Sequence, residues 1–186
     1  MQLRQRLRVL LMAAPLISIG AGCDQRKNQL NAAAPTGPPP ASPTYHLNHA
    51  QPKLPTVKLW LGTQELNTEV ALTVTQISTG MMFRTNLAET EAMLFVFGEP
   101  RAREFYMKNC VVPLSAAYMD SEGAILEIVP LQPGEEIPVA SKSDKVQFVL
   151  ETRQGWFERN KVPVGTVVRT ERGSLQQAFA GRAKLR

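Results

Sequence analysis

From Thr56 onward apolar and polar residues alternate along the chain. Val57-Lys58-Leu59-Trp60-Leu61 precedes Gly62-Thr63, and Glu65 to Leu72 resumes the extended pattern, which predicts a β-hairpin. Ile77, Met81 and Met82 have helical spacing, so a short helix is expected over Thr73 to Met82, running into Gly80 or just past it. Met93 to Phe97 is a continuous apolar run bounded by Gly98 and Pro100, the pattern of a buried strand. Phe105 to Val111 reads as another strand. Ala116 to Asp120 and Ala124 to Val129 flank Ser121-Glu122-Gly123, a hairpin turn. Lys145 to Glu151 alternates, Gly155 to Asn160 fits one helical turn, and Thr166 to Thr170 reads as a final strand before a frayed end. Short strands separated by turn signals predict a mainly β fold: a small single-domain β-barrel or sandwich with one or two short helices. No βαβ rhythm and no internal repeat is visible. A body of about 115 residues buries roughly two-thirds of its surface, enough to fold alone.

The chain ahead of this body has a different character. Gln2 to Arg8 is basic, Val9 to Ile19 is apolar, and Gly20, Ala21 and Gly22 lead to Cys23. That order predicts a secretory signal over residues 1–22. The small residues before a lone cysteine point to lipidation of Cys23, although Gly20 stands where such signals usually carry Leu. The apolar run is too short for a membrane-spanning anchor. Half of the 14 prolines fall between Pro35 and Pro55. Residues 23–54 therefore read as a lipidated cysteine followed by a Pro-rich tether, able to reach on the order of 30 Å. Residues 55–170 form the expected β-rich domain, and residues 171–186 a flexible basic tail.

The formal charge of +5 shrinks once Arg4, Arg6 and Arg8 are assigned to the signal. The remaining weak positive charge, with no basic stripe, excludes a nucleic-acid-binding class. Arg182, Lys184 and Arg186 make only a thin basic tail. With Cys23 acylated, Cys110 has no intrachain partner, so it is expected either buried as a small apolar side chain or in use as a free thiol. Both histidines, His46 and His49, lie in the tether, where they make a poor metal site. The folded body thus contains no histidine, which removes the usual general base and every Ser-His or Cys-His arrangement. No phosphate-cradling glycine loop, paired-cysteine motif or dinucleotide fingerprint is present. No cofactor is expected.

The candidate chemistry concentrates between Gly80 and Ser115. If Phe105 to Val111 is a strand, Phe105, Met107 and Asn109 share one face, and Tyr106, Lys108 and Cys110 the other. Asn109 would then either pin a neighbouring loop backbone or point into a barrel mouth toward a ligand. Arg84 follows the short helix, where it suits the helix carbonyls, a carboxylate, or an anion site shared with Lys108. Met81, Met82, Met93, Met107 and Met119, with Cys110, raise copper(I), although Met is also ordinary core filler. Carboxylate chemistry through Asp120, Glu127 or Glu151 remains open, and Asp120 also suits bonding to its own turn.

These residues resemble the family known as domain of unknown function 192, which has no settled activity. Its pattern of Gly-Leu-Met-Phe-Arg, Gly-Met-Leu-Phe-Val-Phe, Phe-Trp-Met-Lys-Asn-Thr and Pro-Leu-Asp appears as Gly80-Met81-Met82-Phe83-Arg84, Ala92 to Phe97, Phe105 to Cys110 and Pro113-Leu114-Ser115. Asp120-Ser121-Glu122-Gly123, Val149-Leu150-Glu151, Gly155-Trp156 and Val164-Gly165-Thr166 continue it. The resemblance covers essentially the whole folded body and implies a small β-rich barrel or sandwich. Tyr106 stands for the family's Trp, Cys110 for its Thr, and Ser115 and Thr166 for two of its aspartates. Those departures, with the absent histidine, favour binding over catalysis.

The resulting expectation is an envelope-anchored lipoprotein, facing the periplasm or the outside, held to the membrane through Cys23. Its β-domain would bind a small polar or anionic molecule, a glycan or a peptide through Met82, Arg84, Tyr106, Lys108 and Asn109. The rivals are an enzyme using a carboxylate such as Glu151, and a copper(I)-handling module.

Overall fold

The alternation that opens the folded body becomes strands β1 (Thr56–Leu61) and β2 (Gln64–Ala71), an antiparallel pair turning at Gly62 in the computed structural model, which describes residues 45–181. Cys23, the signal segment and Arg182, Lys184 and Arg186 lie outside the described residues. Helix α1 (Val74–Thr79) follows, capped at Thr73, whose hydroxyl accepts from Gln76 N while the Gln76 side chain accepts from Thr73 N. The chain continues through β3 (Glu91–Arg101), β4 (Glu104–Phe105), β5 (Leu114–Met119), β6 (Ile125–Leu131), β7 (Val139–Ala140) and β8 (Val146–Arg153). Helix α2 (Trp156–Arg159), β9 (Val168–Thr170), β10 (Gly173–Ser174) and α3 (Leu175–Phe179) complete it.

Eight strands form one mixed sheet in the order β10-β9-β1-β2-β3-β8-β5-β6. The sheet curls until the start of β6 reaches the chain entering β9. Ile125 N donates to Thr166 O at 2.9 Å, Gly165 N to Ile125 O at 2.8 Å, and Val168 N to Gly123 O at 2.9 Å. Only Ala124 and Val167 pair formally there, so the sheet is barrel-like without closing. The mainly β expectation holds, as does the hairpin at Asp120, whose carboxylate accepts from the Glu122 and Ala124 backbone.

Both faces of the central strands are covered, which is why Met93 to Phe97 reads as unbroken apolar sequence. One face packs Leu94, Val96, Ala117 and Leu150 with Trp156, Leu175 and Phe179. The opposite face packs Met93, Phe95, Tyr118 and Val149 with Met81, Met82, Met107 and Cys110.

Four expectations are corrected. Strands β2 and β3 are parallel and joined across α1, a crossover unit that the sequence reading lacked. Phe105 to Val111 is not a strand: pairing stops at Phe105, Cys110 N bonds back to Met107 O at 3.0 Å, and Asn109 takes a left-handed φ of 57°. The turn puts Met107 and Cys110 together in the core and breaks the expected two-face division. Residues 171–181 are not a frayed tail. Ser174 caps α3, with a Gln177 partner completing the box, and Leu175 and Phe179 are buried. Finally, the last ten residues assigned to the tether lie against the domain. Leu47 N donates to Thr79 Oγ1 at 3.0 Å, and the buried Gln51 amide donates to Gly80 O at 2.8 Å.

Candidate functional site

A cavity of about 470 Å³ opens on the second face of the sheet, between the chain from Ile77 to Met82 and the arm from Arg101 to Tyr106. The first wall is fixed by a local backbone requirement. Gly80 ends α1 with a φ of 46°, and a Cβ there would lie 3.2 Å from the Phe95 ring. Only glycine lets the chain turn so close to the sheet. Beyond it Phe83 adopts a left-handed φ of 61°, and its N–H donates to Asn109 O at 2.8 Å. Two non-glycine residues in that sparsely populated region thus lock the segment after α1 to the turn after β4.

The other wall is the two-stranded arm of β4 and β7, joined at Phe105 and Val139. Phe105 meets Phe95, Phe97 and Tyr118 edge to face, with centroids 5.0, 6.4 and 6.0 Å apart. Tyr118 Oη donates to Val139 O at 2.7 Å, tying the arm to the sheet. Aromatic edges and side-chain hydrogen bonds therefore hold this wall over the cavity.

Glu151 forms part of the lining and is only 4% exposed. It follows Val149 on the same face of β8, between Met93 on β3 and Ala116 on β5. Its neighbours are apolar. Among the described residues no hydrogen bond offsets the loss of water, and burial pushes its carboxyl up to about 8. The group is thus largely protonated at neutral pH and offers one donor and one acceptor. The Cys110 thiol shares the lining. Burial, then the Glu151 charge, pushes it up to about 12, so it is an inert thiol.

The arm also carries Arg103, 7% exposed, with its guanidinium 3.9 Å above the Phe97 ring. Its Nη2 donates to Glu99 O, and its Nε donates to Val146 O at 3.5 Å. Among the described residues no carboxylate pairs with it, and desolvation lowers its pKa to about 10. Glu104 and Tyr106 form exposed parts of the rim.

Of the five residues expected to make contacts, Met82 and Tyr106 belong to the lining, with Met82 buried and Tyr106 39% exposed. Arg84, Lys108 and Asn109 do not belong to it. Arg84 instead makes a bidentate, largely buried pair with Glu69, at 2.7 and 2.8 Å. Lys108 approaches Glu136 at 3.8 Å on the surface. Asn109 does hold a loop, but through its backbone carbonyl. Ser115, where the family pattern has aspartate, accepts from Gly155 N at 2.9 Å and supports the turn before α2.

Sequence reasoning had flagged Glu151 but passed over Arg103. No pattern separates Arg103 from the exposed Arg101 two positions earlier, because its burial depends on the arm folding over Phe97. Of the copper(I) candidates, Met81, Met82 and Cys110 meet at the cavity, whereas Met119 lies in the opposite core. Among the described residues no three His, Cys, Asp or Glu side chains are grouped to hold a metal ion.

The family DUF192, described as uncharacterized ACR, matches residues 57–170, which contain this whole site. A crystal structure from Sinorhizobium meliloti 1021, provisionally described as a transcription regulator, is 31% identical. The match covers 62% of this chain and 92% of that one, with a TM-score of 0.58. A protein of unknown function from Novosphingobium aromaticivorans DSM 12444 is 28% identical over 61% of this chain and 83% of its own, with a TM-score of 0.57. No curated protein matches.

Proposed function

The chain belongs to the DUF192 family, and from that premise we propose that it is an envelope-anchored lipoprotein whose β-domain binds a small molecule without transforming it. The supporting observation is Glu151: a nearly fully buried carboxyl, without a hydrogen-bond partner among the described residues, in the wall of a largely apolar cavity. Burial keeps this carboxyl neutral, so an apolar body can lie against it without stranding a charge. The cavity volume suits a small organic molecule rather than a folded partner. Met82 and Tyr106 remain contact residues. Arg84 serves the framework, and Lys108 and Asn109 lie beyond the lining.

A raised carboxyl in a cavity is also what a general acid requires, so catalysis by Glu151 is the competing reading. The Cys110 thiol beside it is held protonated, which disfavours a thiolate as its partner in such a reaction. Anchoring rests on the order of residues 2–23 and on the Pro-rich segment that follows.

Titrating 1-octanol into the ¹⁵N-labelled chain tests the binding reading. Amide shifts concentrated at Met82, Phe95, Phe105 and Cys110 are expected. Shifts spread over the surface, or none, contradict it. Incorporation of labelled palmitate that is lost in Cys23→Ser tests the anchor, and no incorporation by the parent chain refutes it.

A further inference from the structure

We propose that the preferred occupant of the cavity is an amphiphilic anion, with its apolar body against Met82, Phe95 and Phe105 and its carboxylate or similar head on the Arg103 guanidinium. This rests on the binding reading above and adds the chemical class of ligand.

Arg103 is the reason. A guanidinium carries five N–H donors, and here two side-chain hydrogen bonds to carbonyls are made, at Glu99 and Val146. The charge has no carboxylate in salt-bridge contact among the described residues: the side chain is almost fully buried, and only the more distant Glu99 carboxylate partly offsets it. A buried ion without a counter-ion is unfavourable, and an anion arriving with fork geometry offsets much of that cost. The Phe97 ring beneath the guanidinium fixes its plane. Arg103 also borders a second hollow of about 500 Å³, lined by Val74, Phe97, Glu99 and Arg101 among others. The head would sit at this junction, where the exposed Arg101 is paired with Glu99 at 3.7 Å and Arg103 is the cation left to receive it, while the body extends along the lining toward Glu151.

Glu151 does not oppose such a ligand. Its burial keeps it uncharged near neutral pH, so the arginine supplies the buried charge of this cavity. A cationic head would need the opposite arrangement, an ionised Glu151 as its partner. The head group therefore discriminates between the two ends.

The test is calorimetric titration of the full chain at pH 6.5 with octanoate, 1-octanol and octylammonium, which share one apolar body. Octanoate is expected to bind about tenfold or more tighter than 1-octanol, the value of a charge-assisted hydrogen bond. In Arg103→Met the two should come within about twofold, through loss of octanoate affinity. Arg103→Lys keeps the charge but loses the fork, so it should retain part of the preference and serves where Arg103→Met fails to fold. Equal affinity for octanoate and 1-octanol in the parent chain overturns the anionic head while leaving the binding cavity standing. A preference for octylammonium overturns it in favour of Glu151. If none of the three binds, the binding reading itself falls.

Discussion

Glu69 and Glu151 face the same side of the sheet from the two strands that flank Met93, each directly opposite it, yet among the described residues only Glu69 has hydrogen-bond partners. Two strand spacings separate them by about 10 Å. Glu69 accepts both arms of Arg84 and the Leu54 N–H at 2.7 Å. Glu151 meets apolar neighbours and the cavity. One row of the sheet therefore carries a framework carboxylate and a carboxyl that borders the cavity.

Arg84→Met should cost about 3–5 kcal/mol, because it strands a buried charge on Glu69. Adding Glu69→Leu should restore part of that loss, since the pair goes together. Urea unfolding of the two single variants and the double reads this. Nearly unchanged stability in Arg84→Met would return Arg84 to the list of free contact residues.

Stability should fall as pH rises. The folded carboxyl of Glu151 titrates near 8, above its ordinary value of 4.5, so between these pH values the folded state binds the extra proton. Its contribution is fully present below pH 4.5 and is lost as pH climbs through about 8. Melting temperatures from pH 5 to 9 should decline in the parent chain and decline less in Glu151→Gln, which should be the more stable of the two at pH 9. Parallel curves for the two proteins would refute this.

Gly80→Ala should destabilise by about 1–3 kcal/mol, combining a strained positive φ with a contact against Phe95. The same change at Gly134, which has a positive φ but open space around it, isolates the backbone part. Equal losses at the two sites, measured by chemical unfolding, would mean that the approach to Phe95 is not tight.

The end of the chain belongs to the core. Leu175→Ala should cost about 2–5 kcal/mol, as expected for a fully buried leucine. A frayed end would show no change in denaturation midpoint.

Iodoacetamide should label Cys110 slowly at pH 8, and fast only after urea unfolding, because burial holds the thiol protonated. Labelling of the native chain at the rate of a free peptide thiol would reveal an open, reactive site.

What could be read from the sequence was whatever local pattern controls. Alternation located β1, β2 and β8, and Asp120 with Gly123 marked the β5–β6 turn. Ser174 to Gln177 carries a legible capping signal, which is at odds with a tail over residues 171–186. The rest depended on distance in space. Alternation gives no warning of a left-handed residue such as Asn109, so the strand expected through Val111 ended at Phe105, and the faces assigned to Lys108 and Cys110 went with it. Arg84 advertised a carboxylate partner without identifying Glu69 on a neighbouring strand. Arg103 became visible only once the arm lay over Phe97.

Carboxyl-¹³C NMR of glutamate-labelled chain, with Glu151→Gln to assign the signal, tests the cavity carboxyl most directly. A Glu151 midpoint near pH 8 that moves further up when 1-octanol fills the cavity and excludes water is the expected result. A midpoint near 4.5, unmoved by 1-octanol, would mean that Glu151 is solvated and that the cavity holds no unmatched carboxyl for a ligand to meet.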